Sequence, residues 1–148
     1  MHYCRKSPDA VACIAGGVGA PQLSGCVQFY QENGCVLIEA KISGLPKISG
    51  TGFFGFHIHQ GGDCSGAGFP GTEGHYNPMA QEHPEHAGDL PPLLWCRGNA
   101  YLSVTTDRLC VDEIIGRTVV IHSDPDDFHS QPAGNAGKKI ACGVICKG

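Results

Sequence analysis

From Gln60 to Leu90 the chain shows no hydrophobic periodicity and is dense in Gly, Pro and His. Structureless loops longer than about 12–15 residues are uncommon in a compact fold unless they are functional or disordered. This one follows directly on an H-x-H triplet, His57–His59, and carries His75, His83, His86 and Asp89. His122 adds a seventh candidate ligand at the end of an apolar run, leaving only His2 and His129 of the 8 histidines outside the set. Imidazole nitrogens suit zinc and copper, and a carboxylate can complete a zinc site. The expectation is a two-metal site whose ligands order a loop that has no apolar core of its own.

The flanking sequence supplies strands to carry such a site. Residues 35–42 alternate, with Val36, Ile38, Ala40 and Ile42 on one face and Glu39 and Lys41 on the other. That is the pattern of a half-buried antiparallel strand. Asn33-Gly34 before it marks a hairpin back to 26–31. Over 51–59, Phe54, Phe56 and Ile58 face one way, and Gly55, His57 and His59 face the other. Two imidazoles at i and i+2 then stand roughly 7 Å apart on one face, close enough to converge on one ion. Further strands are predicted at 10–15, 92–96, 100–105, 117–122 and 139–146, with turns between them and no helix. About eight strands with regular turn signals predict an all-β antiparallel sandwich or barrel.

At 148 residues the length prior favours a single domain over 1–148. A net charge of -4 gives no reason to expect a nucleic-acid partner. No apolar run approaches the roughly 20 residues of a membrane span, so no membrane partner is expected. The segment Met1–Ala10 carries Arg5 and Lys6 without an apolar stretch and cleavage site behind them, so no signal peptide is read. The 9 cysteines include no C-x-x-C pair, and an odd number leaves at least one thiol without an intrachain partner. The expected compartment is the cytoplasm, with an exported mature form as the competing option.

Five blocks in order give the chain a family likeness: G-F-H-I-H at Gly55–His59, G-H-Y-N-P at Gly74–Pro78, H-A-G-D-L at His86–Leu90, G-R-T-V-V-I-H at Gly116–His122 and G-N-A-G-K-K-I-A-C-G at Gly134–Gly143. From about Ala10 to Ile145 the chain resembles the copper–zinc superoxide dismutases. Its short spacing between His83 and His86 is similar to bacterial members. The resemblance implies an eight-stranded Greek-key β-barrel and an oxidoreductase acting on superoxide. It implies copper at His57, His59, His75 and His122, and zinc at His75, His83, His86 and Asp89, with His75 shared. It implies a carboxylate behind the ligands at Asp126, with Asp127 as the competing position. It implies a disulfide between Cys64 and Cys142, and it allows a homodimer.

Two departures bear on function. Where the family has an active-site Arg, this chain has Lys139, which keeps the charge and loses the planar fork of donors. The loop 123–137 is shorter than the family's charged loop, so strong electrostatic steering of superoxide is not expected. The alternative to an enzyme is a non-catalytic copper- and zinc-binding or copper-chaperone-like domain. The filled ligand set argues against it.

Overall fold

The hairpin read over 26–31 and 35–42 forms, with each strand shifted by one or two residues at its ends. β2 (Ser24–Gln31) pairs antiparallel with β3 (Val36–Ser43), setting Val27 opposite Ala40 and Phe29 opposite Ile38, all fully buried. The connection turns at Gly34, with φ 81°. This computed structural model describes residues 6–47 and 50–148. Residues 1–5, with His2, Cys4 and half of the N-terminal segment read for a signal, lie outside the described residues, as do 48–49.

On the far side of β2 runs β1 (Ala10–Gly16), then β9 (Lys139–Lys147), β8 (Thr118–His122) and β5 (Phe56–His59), while β7 (Ala100–Thr106) lies beyond β3. Together they form a seven-stranded antiparallel sheet in the order β5-β8-β9-β1-β2-β3-β7. A short ribbon pairs β4 (Phe53–Phe54) with β6 (Leu93–Leu94). β4 leads into β5 at one edge of the sheet, and β6 leads into β7 at the other through a hydrogen-bonded turn between Cys96 and Asn99. The ribbon thus joins the two open edges of a curled sheet. Neighbours distant in sequence, such as β3 with β7 and β5 with β8, are Greek-key connections. Inward side chains from all seven strands form one buried cluster that includes Ile14, Phe29, Ile38, Phe56, Ile58, Ile121 and Ile145. Each such side chain contributes about 1.5–3 kcal/mol relative to exposure.

The all-β antiparallel architecture is the one the sequence predicts, with two local differences. The single strand expected over 51–59 is two strands, because Gly55 leaves the ladder. Its N–H donates to the Asp124 carbonyl and its carbonyl accepts from His122 N–H. A Cβ at Gly55 would stand 2.8 Å from Ala136 Cβ and 3.2 Å from His122 Cβ, so only glycine lets the second long loop come this close. The second difference is a single-turn helix, α1 (Val111–Ile114), where no helix is expected. Four residues are too few to show a period. Its start is nonetheless encoded, since Glu113 reaches back to accept from Cys110 N–H at 2.6 Å.

Candidate metal centre

β5 is buried on both faces. Phe56 and Ile58 fill the barrel, while His57 and His59 point outward and are still only 0% and 1% exposed, because two loops cover them. The first of these loops, residues 60–92, returns along the free edge of β5. Tyr76 N–H donates to Ile58 O, Ile58 N–H to Gly88 O, and Gly88 N–H to Tyr76 O, each at 2.9 Å. These bonds set His75 opposite His59 and Asp89 opposite His57. Further along, the Cys64–Cys142 disulfide forms as the resemblance implies. It pins the loop to β9 in a small apolar cluster with Phe69 and Val120. His122 arrives from β8 at a β-bulge between Ile121 and His122, and bulges commonly re-aim side chains beside active sites.

Two ligand groups result, and His75 belongs to both. His57, His59, His75 and His122 form one, and His75, His83, His86 and Asp89 the other; in each, the ligand atoms lie within 4.8 Å of one another. Four ligands about 2.0 Å from a tetrahedral ion stand about 3.3 Å apart. In the second group His75 Nδ1 lies 2.8 Å from Asp89 Oδ1 and 3.2 Å from His86 Nδ1. Asp89 Oδ2 lies 3.1 Å from His83 Nδ1 and 3.3 Å from His86 Nδ1. The His83 contact has the distance of a hydrogen bond without its geometry, since His83 Nδ1 has no hydrogen-bond partner. That is how two ligands facing one ion look. In the first group His59 Nε2 and His122 Nε2 are 3.2 Å apart. His57 Nδ1 and His75 Nε2 are buried with no partner. Buried polar atoms are almost always paired, so orphaned nitrogens inside a cluster of ligands fit a metal.

Behind the two groups sits Asp126. Its carboxylate accepts from His57 Nε2 and His83 Nε2, both at 2.7 Å, and from Phe128 N–H. It therefore ties one ring of each group to a single side chain. Asp127, the competing position, bonds instead to Ser130 and to the His129 N–H. Gly134 makes the Asp126 arrangement possible, since a Cβ there would fall 2.0 Å from Asp126 Oδ1 and 2.6 Å from His83 Nε2.

Burial sets the protonation of the rings. It is the largest cause lowering His59 to about 2, with the neighbouring His122 charge next, and the largest cause lowering His122 to about 3. It also lowers His57 and His86, against the opposing pull of Asp126 and Asp89. Burial alone would raise Asp126, but hydrogen bonds from His57 and His83 outweigh it and hold the carboxyl well below its ordinary range. Without an ion, His57, His59, His86 and His122 are thus held toward their neutral, lone-pair-bearing form, and Asp89 and Asp126 toward the ionised one.

Lys139 stands beside the first group, with Nζ donating to Thr72 Oγ1 at 2.7 Å and to the Glu73 carbonyl at 2.9 Å. That carbonyl also accepts from His59 Nδ1 at 2.9 Å. His59, His75, His122 and Lys139 line an opening of about 340 Å³. A larger cleft, about 640 Å³, reaches only Asp89 of the ligand set and presents mainly Leu90, Val104, Arg108 and Phe128. The smaller opening is the one that three of the first group's histidines and the Lys139 cation share. Three supporting residues carry no sequence signal. Thr72 and Glu73 hold Lys139, and Gln131 clamps the His83 backbone, accepting from its N–H at 2.9 Å and donating to its carbonyl at 2.7 Å.

Comparison with known proteins agrees with this geometry. The family model described as copper/zinc superoxide dismutase matches residues 23–145. The chain belongs to this family. Copper–zinc superoxide dismutase 2 of Aquifex aeolicus (strain VF5) is 37% identical over 84% of this chain and 80% of its own length. Copper–zinc superoxide dismutase 3 of Arabidopsis thaliana is 38% identical over 98% and 94%. Copper–zinc superoxide dismutase 1 of the same Aquifex strain is 38% identical over 82% and 79%. Copper and zinc are the family's ions, and the two His-rich groups are chemically fit to hold them.

Proposed function

We propose that the chain is a superoxide dismutase, converting two superoxide anions and two protons into dioxygen and hydrogen peroxide. Copper is assigned to His57, His59, His75 and His122, and zinc to His75, His83, His86 and Asp89. Bound copper supplies the one-electron redox chemistry, and bound zinc supplies charge and a fixed geometry without redox change. The observation that carries the assignment is His75. Its Nδ1 lies among the ligands of one group, while its buried Nε2 is unpaired among the ligands of the other.

The side chains supply the rest. His75 lines the opening, and its unpaired Nε2 can hold a proton and give it to a departing peroxide as a general acid. Lys139 draws the anion toward the opening and orients it. Asp126 fixes the tautomers of His57 and His83, because a ring that donates from Nε2 keeps Nδ1 free for a metal. The filled ligand set favours the enzyme over a non-catalytic carrier.

Metal analysis of protein taken from its native host, with a cyanide-sensitive superoxide assay on the same sample, tests the reading. One copper and one zinc per chain with activity are expected. Full zinc occupancy with neither copper nor activity would overturn it. The exposed, directly paired Phe53 and Leu94 on the β4–β6 ribbon support a homodimer. Sedimentation should then show a dimer that Leu94→Glu disperses, and a wild-type monomer would refute it. The six free thiols among the described residues favour a reducing compartment, the cytoplasm. Fractionation that finds the protein outside it would refute that placement.

A further inference from the structure

On the outer face of the barrel, far along the sheet order from β5, Cys13 of β1 stands opposite Cys26 of β2. The ladder fixes the kind of pair they make. Gly16 N–H donates to Leu23 O at 2.8 Å, so 16 and 23 form a hydrogen-bonded pair in this register. Hydrogen-bonded pairs recur at every second residue, which gives 14 with 25 and 12 with 27. The pair 13 and 26 falls between them and is non-hydrogen-bonded. The other edge of β2 agrees, since Glu32 N–H donates to Cys35 O, which assigns the even residues of β2 to β3.

Non-hydrogen-bonded partners stand about 4.5 Å apart at Cα with their side chains close on the same face. A disulfide spans about 4.4–6.8 Å between Cα atoms, so this pair can close without moving the strands. Both thiols are free, with Cys13 exposed and Cys26 half-buried. A third thiol on the same face, Cys146 of β9, lies opposite Val11 and so diagonal to Cys13. Diagonal neighbours are about 7–8 Å apart, at or beyond the limit of about 7 Å for bridging. Its Sγ instead contacts the Val144 carbonyl at 3.7 Å.

We propose that Cys13 and Cys26 form a surface redox dithiol that hydrogen peroxide converts into a second, cross-strand disulfide. Exposed Cys13 attacks as the thiolate. An S–O bond forms, the peroxide O–O bond breaks, and the displaced hydroxide takes the thiol proton and leaves as water. The Cys26 sulfur then displaces hydroxide from the sulfenic acid. The S–S bond forms, the S–O bond breaks, and the Cys26 proton leaves with the hydroxide as a second water. The two sulfurs give up two electrons, which reduce both peroxide oxygens. Burial first and the Cys13 charge next raise the Cys26 thiol, so the exposed Cys13 is the one that meets peroxide first. This dithiol is separate from Cys64–Cys142, whose Cys142 is 3% exposed beneath Phe69.

The test exposes the metal-loaded full chain to a small excess of hydrogen peroxide, blocks remaining thiols and maps peptides after cleavage at Leu23. A peptide pair joined through Cys13 and Cys26, lighter by two hydrogen atoms, is expected. Native-state dithiothreitol should reopen it and leave Cys64–Cys142 intact. In Cys26→Ser, Cys13 should instead be trapped by dimedone as the sulfenic acid. A Cys13–Cys146 link, a Cys13 link between two chains, or full alkylation of both thiols after peroxide would each overturn the proposal. Thiol mapping reads no enzymatic activity, so this result stands apart from that of the superoxide assay.

Discussion

Lys139 is the residue whose environment says most about substrate handling. Two acceptors, Thr72 Oγ1 and the Glu73 carbonyl, fix its ammonium at the rim of the opening. Burial lowers its proton affinity below that of an ordinary lysine. On the proposed function, the charge that would draw in an anion is therefore lost as pH rises, at a lower pH than a free lysine would allow. The alkaline limb of kcat/KM should begin correspondingly early, and Lys139→Arg should move it upward. At low salt Lys139→Arg should also raise kcat/KM by about two- to fivefold, and Lys139→Ala should lower it by roughly tenfold, since the fields of whole charged clefts are worth 10–10³. An unchanged value for Lys139→Arg would remove Lys139 from anion guidance. The second residue of consequence is Asp126, one carboxylate shared by His57 and His83. Asp126→Ala should weaken retention of both ions by about 10- to 100-fold against a competing chelator. Loss of one ion alone would contradict the shared role. Lys139 was legible as a position in a motif, and Asp126 only through the family likeness, with Asp127 beside it as the competing position. Thr72, Glu73 and Gln131 were not, because a backbone carbonyl or an amide clamp can come from any residue type at any spacing.

At the scale of elements, the centre depends on how closely two loops approach β5 and β8. Gly55 is the narrowest point, with Ala136 and His122 against the space a side chain would need. Gly55→Ala should therefore cost about 1–3 kcal/mol, the usual range for overpacking. Because it pushes on His122, it should also lower copper retention more than zinc retention. Equal loss of both ions, or an unchanged Tm, would show that the loop simply gives way. The alternating strands were readable because each buries one face in the barrel, and a period of two survives in the sequence. Where both faces are buried, as in β5, the period came from chemistry, with phenylalanine and isoleucine inside and histidine outside. The break at Gly55 and the single turn of α1 were not readable. The first depends on a loop that returns some 70 residues later in the chain, and the second is shorter than any period. The 78-residue separation of Cys64 and Cys142 is similar. Only the family likeness pointed to that bond, which stabilises by roughly 4 kcal/mol on chain-entropy grounds.

For the molecule as a whole, the metal centre is a buried acid-sensitive core. His59 and His122 are held to about 2 and about 3, against an ordinary value of 6.5. Above about pH 6.5 these rings are neutral whether the chain is folded or not, and they make stability no steeper in pH. Below that, the unfolded chain binds protons at these rings that the folded chain refuses. Stability then falls by roughly 1.4 kcal/mol per pH unit for each ring. Asp126 and Asp89, both lowered by their histidine partners, favour the fold while ionised and withdraw that support once pH drops below the ordinary carboxylate range. Acid thus acts on the metal-free protein in two stages, through the histidines first and the carboxylates second. Bound ions occupy the same nitrogens and add binding energy to the folded state alone, so they should hold stability to a lower pH until they dissociate. Calorimetry of metal-free and metal-loaded protein from about pH 7.5 to about pH 4.5 should show Tm falling early in the first and late in the second. A metal-free Tm that stays flat across this range would mean that the rings already titrate in the folded state. The neutral forms of His59 and His122 would then not be the ones that meet the metal.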